Sequence, residues 1–267
     1  MRISSLFERL RGEGRTALIA YLTAGDPTPD QTPGLVQALE RGGVDLVELG
    51  VPFSDPIADG PVIQAASERA LRSGATLAYV LELAEQIRRH SEIPLLLFSY
   101  LNPVLRYGVE ALATDAKRAG IDGVLLTDLS VEEAGDIVAV MRKAGLDTVF
   151  LASPTSPPRR LELVATHSTG FIYLVSRTGV TGERQELSDS MEPLVQSLRN
   201  VTELPLAVGF GISTPEQAAR VARLADGVVV GSAFVRIVEQ NLESGQLEGR
   251  MEAFARELSG AVRGVKA

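Results

Sequence analysis

The sequence has no cysteine, no tryptophan and only two histidines. Without thiols there is no disulfide framework and no thiolate metal site, and two histidines argue against an imidazole-built metal centre. Positive charge is also short: 26 Lys and Arg stand against 34 Asp and Glu, a formal charge of -8. That balance argues against a nucleic-acid partner, because phosphate backbones select clustered Lys and Arg. No apolar run approaches the ~20 residues of a membrane span. Met1 to Arg15 mixes Leu6, Phe7 and Leu10 with Arg2, Glu8, Arg9 and Arg11. This pattern predicts an amphipathic helix, not the unbroken apolar core of a secretory signal, so a cytoplasmic location is expected.

What is present is an ordinary globular composition, 45% hydrophobic and 22% charged, in 267 residues. That length suits a sizeable core and lies near the ~250 residues typical of a (β/α)8 barrel. With no low-complexity linker, residues 1–267 are expected to form one domain. Short apolar runs alternate with amphipathic stretches. Strands are predicted at Leu18 to Leu22, up to Glu48, Leu95 to Phe98, Gly123 to Leu126, Thr148 to Leu151, Phe171 to Val175, Leu206 to Val208 and Gly227 to Val230. Helices are predicted over Asp30 to Arg41, Val62 to Arg72, Leu77 to Arg89, Val109 to Ala119, Val131 to Lys143, Pro157 to Thr166, Met191 to Arg199, Pro215 to Arg223 and a last stretch to about Val262. Near-continuous apolar strands, each followed by a helix, imply a parallel sheet covered by helices. An open doubly wound sheet is the alternative. Eight units, and no Gly-x-Gly-x-x-Gly after the first strand, favour the TIM barrel.

The stretch from Val44 to Pro61 organises the rest. An apolar run carries one carboxylate, Glu48, near its end and then breaks into a Pro- and Gly-punctuated loop holding Asp55 and Asp59. In a barrel, catalytic groups come from strand ends and the loops after them. Carboxylates at such places also solvate strand ends and cap helices, so the stretch alone leaves both readings open. A second constellation lies in the last third. Gly179-Val180-Thr181-Gly182 follows the sixth strand, Gly209-Phe210-Gly211-Ile212-Ser213 the seventh, and Gly231-Ser232 the eighth, where a short helical run from Ala233 to Gln240 begins. Any one of these glycines is explained by a tight turn. Three such loops in register point to a phosphate, held by backbone N–H groups and a helix N-terminus.

Thr23-Ala24-Gly25-Asp26-Pro27, Glu48 to Pro61, Phe171 to Gly182, Gly209 to Ser213 and Val230-Gly231-Ser232 resemble the signature segments of the tryptophan synthase alpha subunit family, and the resemblance covers nearly the whole chain. It implies a (β/α)8 barrel that cleaves indole-3-glycerol phosphate to indole and glyceraldehyde 3-phosphate. By the same resemblance Glu48 is the catalytic acid/base, Asp59 the second catalytic carboxylate, and Tyr173 supports Glu48. Gly182, Gly211, Gly231 and Ser232 hold the phosphate. Tyr21, Ile63, Phe98 and Phe210 match the indole pocket, although apolar residues at strand ends are usually packing. No cofactor is implied for this chain. The implied partner is the beta subunit, which carries pyridoxal phosphate, in an alpha2beta2 complex.

The chemistry accounts for those residue types. One proton must reach indole C3 and another must leave the adjacent hydroxyl, and a single carboxyl group can do both in turn. An anion near the indole N–H would stabilise the protonated ring. Asp55 and Asp59 both suit that role by spacing; the resemblance favours Asp59. Phe98 stands where the family commonly has a smaller aliphatic residue, and Ser130 where it often has proline. Ser176 to Ser190 is long for a strand-to-helix joint and is expected to act as a mobile lid, with Thr181 meeting the Asp59 region. Pro52, Phe53, Asp55, Asn102 and Pro103 are expected to form a docking surface at the barrel mouth. Two alternatives are another phosphate-binding barrel enzyme and a non-catalytic regulatory subunit; the pair Glu48 and Asp59 argues against the second.

Overall fold

The computed structural model describes residues 1–175, 186–209 and 211–265. The lid segment expected at residues 176–190 therefore falls largely outside the described residues, as do Thr181, Gly182 and Phe210. The strands are β1 (Ala17–Thr23), β2 (Leu46–Gly50), β3 (Leu95–Ser99), β4 (Gly123–Leu126), β5 (Asp147–Val149), β6 (Leu151–Ala152), β7 (Ile172–Val175), β8 (Leu206–Gly209) and β9 (Gly227–Val230). The α-helices are α1 (Arg2–Gly12), α2 (Thr32–Arg41), α3 (Pro61–Arg72), α4 (Leu77–Arg88), α5 (Leu101–Tyr107), α6 (Val109–Ala119), α7 (Gly135–Lys143), α8 (Pro158–His167), α9 (Glu186–Arg199), α10 (Pro215–Ala222), α11 (Ser232–Glu239) and α12 (Leu247–Arg263).

Every neighbouring strand pair is parallel, in the order β5-β4-β3-β2-β1-β9-β8-β7-β6. The two ends of that order are consecutive in the chain. Asp147–Val149 pairs with β4 and Leu151–Ala152 with β7, and the change of partner falls on Phe150, whose carbonyl accepts the Tyr173 N–H at 3.1 Å. The single strand expected from Thr148 to Leu151 is thus split in two, because a barrel wall must hand its hydrogen bonds from one neighbour to the next. Nine segments fill eight wall positions, and the fold is the (β/α)8 barrel.

Both strand faces are buried, which explains the continuous apolar runs: all seven residues of β1 are buried. Outward-facing side chains pack under the helices. Inward-facing Ile19, Leu46, Leu96, Leu125, Val149, Phe171, Ala207 and Val229 fill the lumen. The N-terminal end of that lumen is closed by α1. Its Ile3, Leu6, Phe7 and Leu10 recur at helical spacing and join the lumen cluster, and the Phe7 and Phe171 rings lie 5.6 Å apart. Arg2 anchors the plug by donating to Asp122 at 3.0 Å and to Glu92 at 2.6 Å. With one end plugged, the C-terminal ends of the strands are left for chemistry.

Helix boundaries follow local chemistry. The Thr76 hydroxyl accepts the Tyr79 N–H at the start of α4, Thr214 and Gln217 form a reciprocal capping box on α10, and Gly120, at φ 86°, ends α6 in the left-handed region. One helix was not predicted and two helix starts need correction. Asn102 and Pro103 lie in α5: Pro103 sits in the first turn, where its missing N–H costs nothing, and the Leu101 N–H is taken by Asp128 at 2.7 Å. The helix expected from Val131 starts only at Gly135, and the one expected from Met191 already starts at Glu186 with Pro193 inside it.

Candidate active site

Glu48 is the penultimate but one residue of β2 and points inward by strand alternation with Leu46. It is 1% exposed, and among the described residues its Oε1 has no hydrogen-bond partner. Burial without compensation penalises the anion, so the Glu48 carboxyl is pushed up to about 8. A carboxylic acid is therefore held ready to donate at neutral pH.

Asp59 reaches the same end of the barrel from the loop after β2. The chain there folds into tight turns, Ile57 N–H to the Asp55 carbonyl at 2.9 Å and Asp59 N–H to the Pro56 carbonyl at 3.0 Å, before Gly60 and Pro61 start α3. Half-burial pushes Asp59 up to about 6, and the nearby Tyr100 phenol pulls the other way. Asp55 is exposed and accepts from Ser54 Oγ at 2.6 Å. The geometry thus favours Asp59 over Asp55 as the carboxylate facing the lumen.

Two tyrosines link the parts. Tyr21 on β1 is in the electrostatic reach of both Asp59 and Glu48, and its hydroxyl lies 3.3 Å from Thr23 Oγ1. Tyr173 on β7 is in reach of Glu48 and Tyr21. Burial and those carboxylates raise both phenols, which stay neutral. Each ring occupies space left by a glycine at a neighbouring strand end, Gly50 under Tyr21 and Gly209 under Tyr173; a Cβ at either glycine would collide with the tyrosine. The Tyr21 ring meets Phe98 edge to face, 5.2 Å between centroids, and Val62, Ile63, Ala66 and Val235 complete that apolar patch. The structure therefore gathers Tyr21, Ile63 and Phe98 beside the two carboxylates. A further cavity of about 270 Å³ opens between the ends of β4, β6 and β7, lined by Thr127, Leu129, Phe150, Leu151, Ser153 and Val175 among others.

The glycine loops stand at the same end. Gly231 precedes the first residue of α11, Ser232, and its Cα lies over Tyr21, whose Cβ would be 3.5 Å from a Cβ there. The first turn of α11 has no acidic residue. Phe234 and Val235 donate to the Gly231 carbonyl, and the Ser232 and Ala233 N–H groups ahead of them are left as a ready anion site. Gly211 adopts φ 72°, and among the described residues a Cβ there would meet nothing within 4 Å. Tyr100 was not legible as a site residue. Its position just past an apolar strand, with a polar tip, was the available signal.

A family profile described as tryptophan synthase alpha chain matches residues 7–263. The chain belongs to the tryptophan synthase alpha family. It is 68% identical over 257 residues to the tryptophan synthase alpha chain of Solibacter usitatus (strain Ellin6076), covering 96% of each chain, and 49% identical over 264 residues to that of Geotalea uraniireducens (strain Rf4), covering 99% of this chain and 98% of the other. Among solved structures it is similar to tryptophan synthase subunit alpha from Legionella pneumophila str. Paris, with a TM-score of 0.91, 39% identity and 98% of both chains covered. A structure of Mycobacterium tuberculosis tryptophan synthase gives 0.90, 38% and 98% of both chains. As a member of that family it is a carbon–carbon lyase acting on indole-3-glycerol phosphate, and the family's cleavage yields indole and glyceraldehyde 3-phosphate.

Proposed function

We propose that Glu48 and Asp59 carry the cleavage between them, on a single barrel domain. Glu48, held protonated by burial, gives its proton to indole C3. Positive charge then develops on the ring nitrogen, where the Asp59 carboxylate accepts a hydrogen bond from the N–H and stabilises it. The Glu48 carboxylate left behind takes the proton of the hydroxyl on the neighbouring carbon. As the carbonyl forms, the carbon–carbon bond breaks and its electron pair returns to the indole ring. Glu48 ends protonated, ready for the next turnover. The observation that carries this reading is the opposite setting of the two acids at neutral pH, one raised to about 8 and the other only to about 6.

Tyr21, Ile63 and Phe98, with Phe210, hold the indole ring, and Tyr173 and Thr181 support the two carboxylates. The phosphate is bound by the backbone at Gly182, Gly211, Gly231 and Ser232. No cofactor is needed in this chain for a proton-transfer lyase; pyridoxal phosphate belongs to the beta subunit that takes the indole. That partner docks at the barrel mouth, where Ile57 is 84% and Leu105 57% exposed, in an alpha2beta2 complex. The test is indole release from indole-3-glycerol phosphate by Glu48→Gln and Asp59→Asn, alongside ligand affinity by calorimetry. Glu48→Gln is expected to lose roughly 10²–10⁴-fold in turnover with binding retained. Near wild-type turnover with normal binding would assign the proton transfer elsewhere.

A further inference from the structure

Aspartates stand at the N-terminal ends of β2, β4, β5 and β9, where α1 closes the lumen, and all but one are paired twice over. Asp45 accepts the Leu18 N–H at 2.9 Å and Arg15 Nη2 at 3.3 Å, Asp122 accepts the Leu95 N–H at 3.0 Å and Arg88 Nη2 at 2.7 Å, and Asp226 accepts the Leu206 N–H at 2.8 Å and Arg199 Nη2. Asp147, the first residue of β5, is different. It is 0% exposed, and among the described residues neither of its carboxyl oxygens has a hydrogen-bond partner. Alternation with Val149, which lies in the lumen cluster, turns it inward onto the plug. Two glycines make the room. A Cβ on Gly170 would lie 2.9 Å from Ile3 Cγ2 and 3.2 Å from the Asp147 carboxyl carbon, and one on Gly123 would lie 3.0 Å from both Asp147 Cβ and Ile3 Cδ1. The carboxyl is thus enclosed beside the first apolar side chain of α1.

We propose that Asp147 is a pH-sensitive latch on the α1 plug: as a neutral acid it packs beside Ile3, and as an anion it draws water beneath α1 and loosens the helix. An unpaired buried carboxylate is costly, and water is the partner left to it. The charged groups of the elements around it are the Met1 amine and Arg2 of α1, Asp122 before β4, Lys117 of α6 and Arg142 of α7. Most are engaged elsewhere. Arg2 donates to Asp122 and Glu92, Lys117 to the Gly145 carbonyl at 2.8 Å and Arg142 to the Thr166 carbonyl at 2.7 Å. Burial is the largest influence and holds the carboxyl above its ordinary 3.8, against the pull of the nearby Thr169 hydroxyl, the Met1 amine and Lys117. A carboxyl raised on folding gives stability that is complete below its ordinary value and is lost as pH rises through its folded one. Because Ile3 is the plug residue beside the carboxyl, α1 is the element that gives way.

Asp147→Asn keeps the shape of the side chain and cannot ionise, and Asp147→Leu fills the same place with an apolar group. The experiment measures amide hydrogen exchange in α1 of the full chain, corrected for the intrinsic rate, from about pH 5 to about pH 8, for the wild type and both variants. Thermal melts check folding, and either variant suffices if the other does not fold. The opening of α1 in the wild type relative to a variant should rise by roughly threefold or more over that range, and the same ratio for the other helices should rise less. Glu48, raised in the same sense, titrates in all three proteins and cancels in the ratio. A ratio for α1 that stays level across the range overturns the proposal. A rise of equal size in every helix overturns it too, and makes Asp147 a determinant of global stability alone.

Discussion

The Tyr21 and Phe98 rings meet with centroids 5.2 Å apart and planes at 76°, so that the edge of one faces the other at the mouth of the lumen. Such pairs are rigid, because tilting either ring forfeits both packing and the edge-to-face attraction. Phe98 also stands where the resemblance leads one to expect a smaller aliphatic side chain, and it shares its apolar patch with Ile63. Phe98→Leu should therefore enlarge the ring pocket. The expected outcome is a rise in kcat/KM for a ring-methylated indole-3-glycerol phosphate relative to the unsubstituted substrate, by roughly 10-fold for the space of one or two methylenes. An unchanged ratio would mean that the indole does not lie against Phe98.

Asp26 is 3% exposed and accepts from both Arg69 Nε, at 2.7 Å, and Arg69 Nη2, at 2.9 Å, joining the loop after β1 to α3. Among the described residues, removing Asp26 leaves the largely buried Arg69 with only Glu239, at 3.9 Å, as a carboxylate partner. Asp26→Ala should lower stability by about 3 kcal/mol, as for other pairs broken on one side. Urea melts compare it with Arg69→Met and the double variant; if the pair is coupled, the double variant loses less than the sum of the two single losses.

Gly211 separates charge from shape. Its φ of 72° is a region that Asn and Asp enter more readily than other side chains, and among the described residues no atom lies within 4 Å of a Cβ there. Gly211→Asn and Gly211→Asp then share one backbone cost and differ in charge. If the substrate phosphate is held at this loop, Gly211→Asp should raise KM by about tenfold more than Gly211→Asn, and the excess should shrink with added salt. Equal KM values would move the phosphate away from Gly211.

Leu105 projects from α5, the helix after β3, with 57% of its surface exposed. An apolar residue in that place is expected to seat the beta subunit. Leu105→Glu should weaken the complex, measured by titration calorimetry, by about tenfold or more, the loss associated with a central interface contact. Lyase activity of the isolated chain should not fall.

The barrel was legible because its signal is repeated: apolar runs followed by amphipathic stretches, with Ile3, Leu6, Phe7 and Leu10 marking the plug in the same way. Glu48 stood out as a lone carboxylate in an apolar strand. The break at Phe150 was not legible, since a strand that changes partners keeps the composition of one that does not. Helix α5 was hidden by Pro103, which reads as a loop residue until its place in the first turn is known. Asp55 and Asp59 were indistinguishable by spacing; the fold leaves Asp55 exposed beside Ser54 and sets Asp59 against Tyr100. Tyr100 offered only its polar tip after an apolar strand as a signal, because its contacts with Phe53 and Ala58 join segments more than forty residues apart in the chain.

Glu48 also makes a prediction about stability. Its carboxyl is raised from 4.5 to about 8 in the folded protein, so between those values the folded state holds a proton that the unfolded chain has released. Stability must then fall as pH rises through that window, by a slope on the order of 1.4 kcal/mol per pH unit for this one group, and level off above it. Glu48→Gln removes the titration while leaving a side chain of the same size. The variant should gain on the wild type steadily from about pH 5 to pH 8 in urea or thermal melts, even though it is nearly inactive. The same burial that makes Glu48 a proton donor at neutral pH thus costs the fold stability there, and relieving one relieves the other. A difference between the two proteins that stays constant across the window would show that Glu48 is not held protonated, and the acid step would have to be assigned to another group.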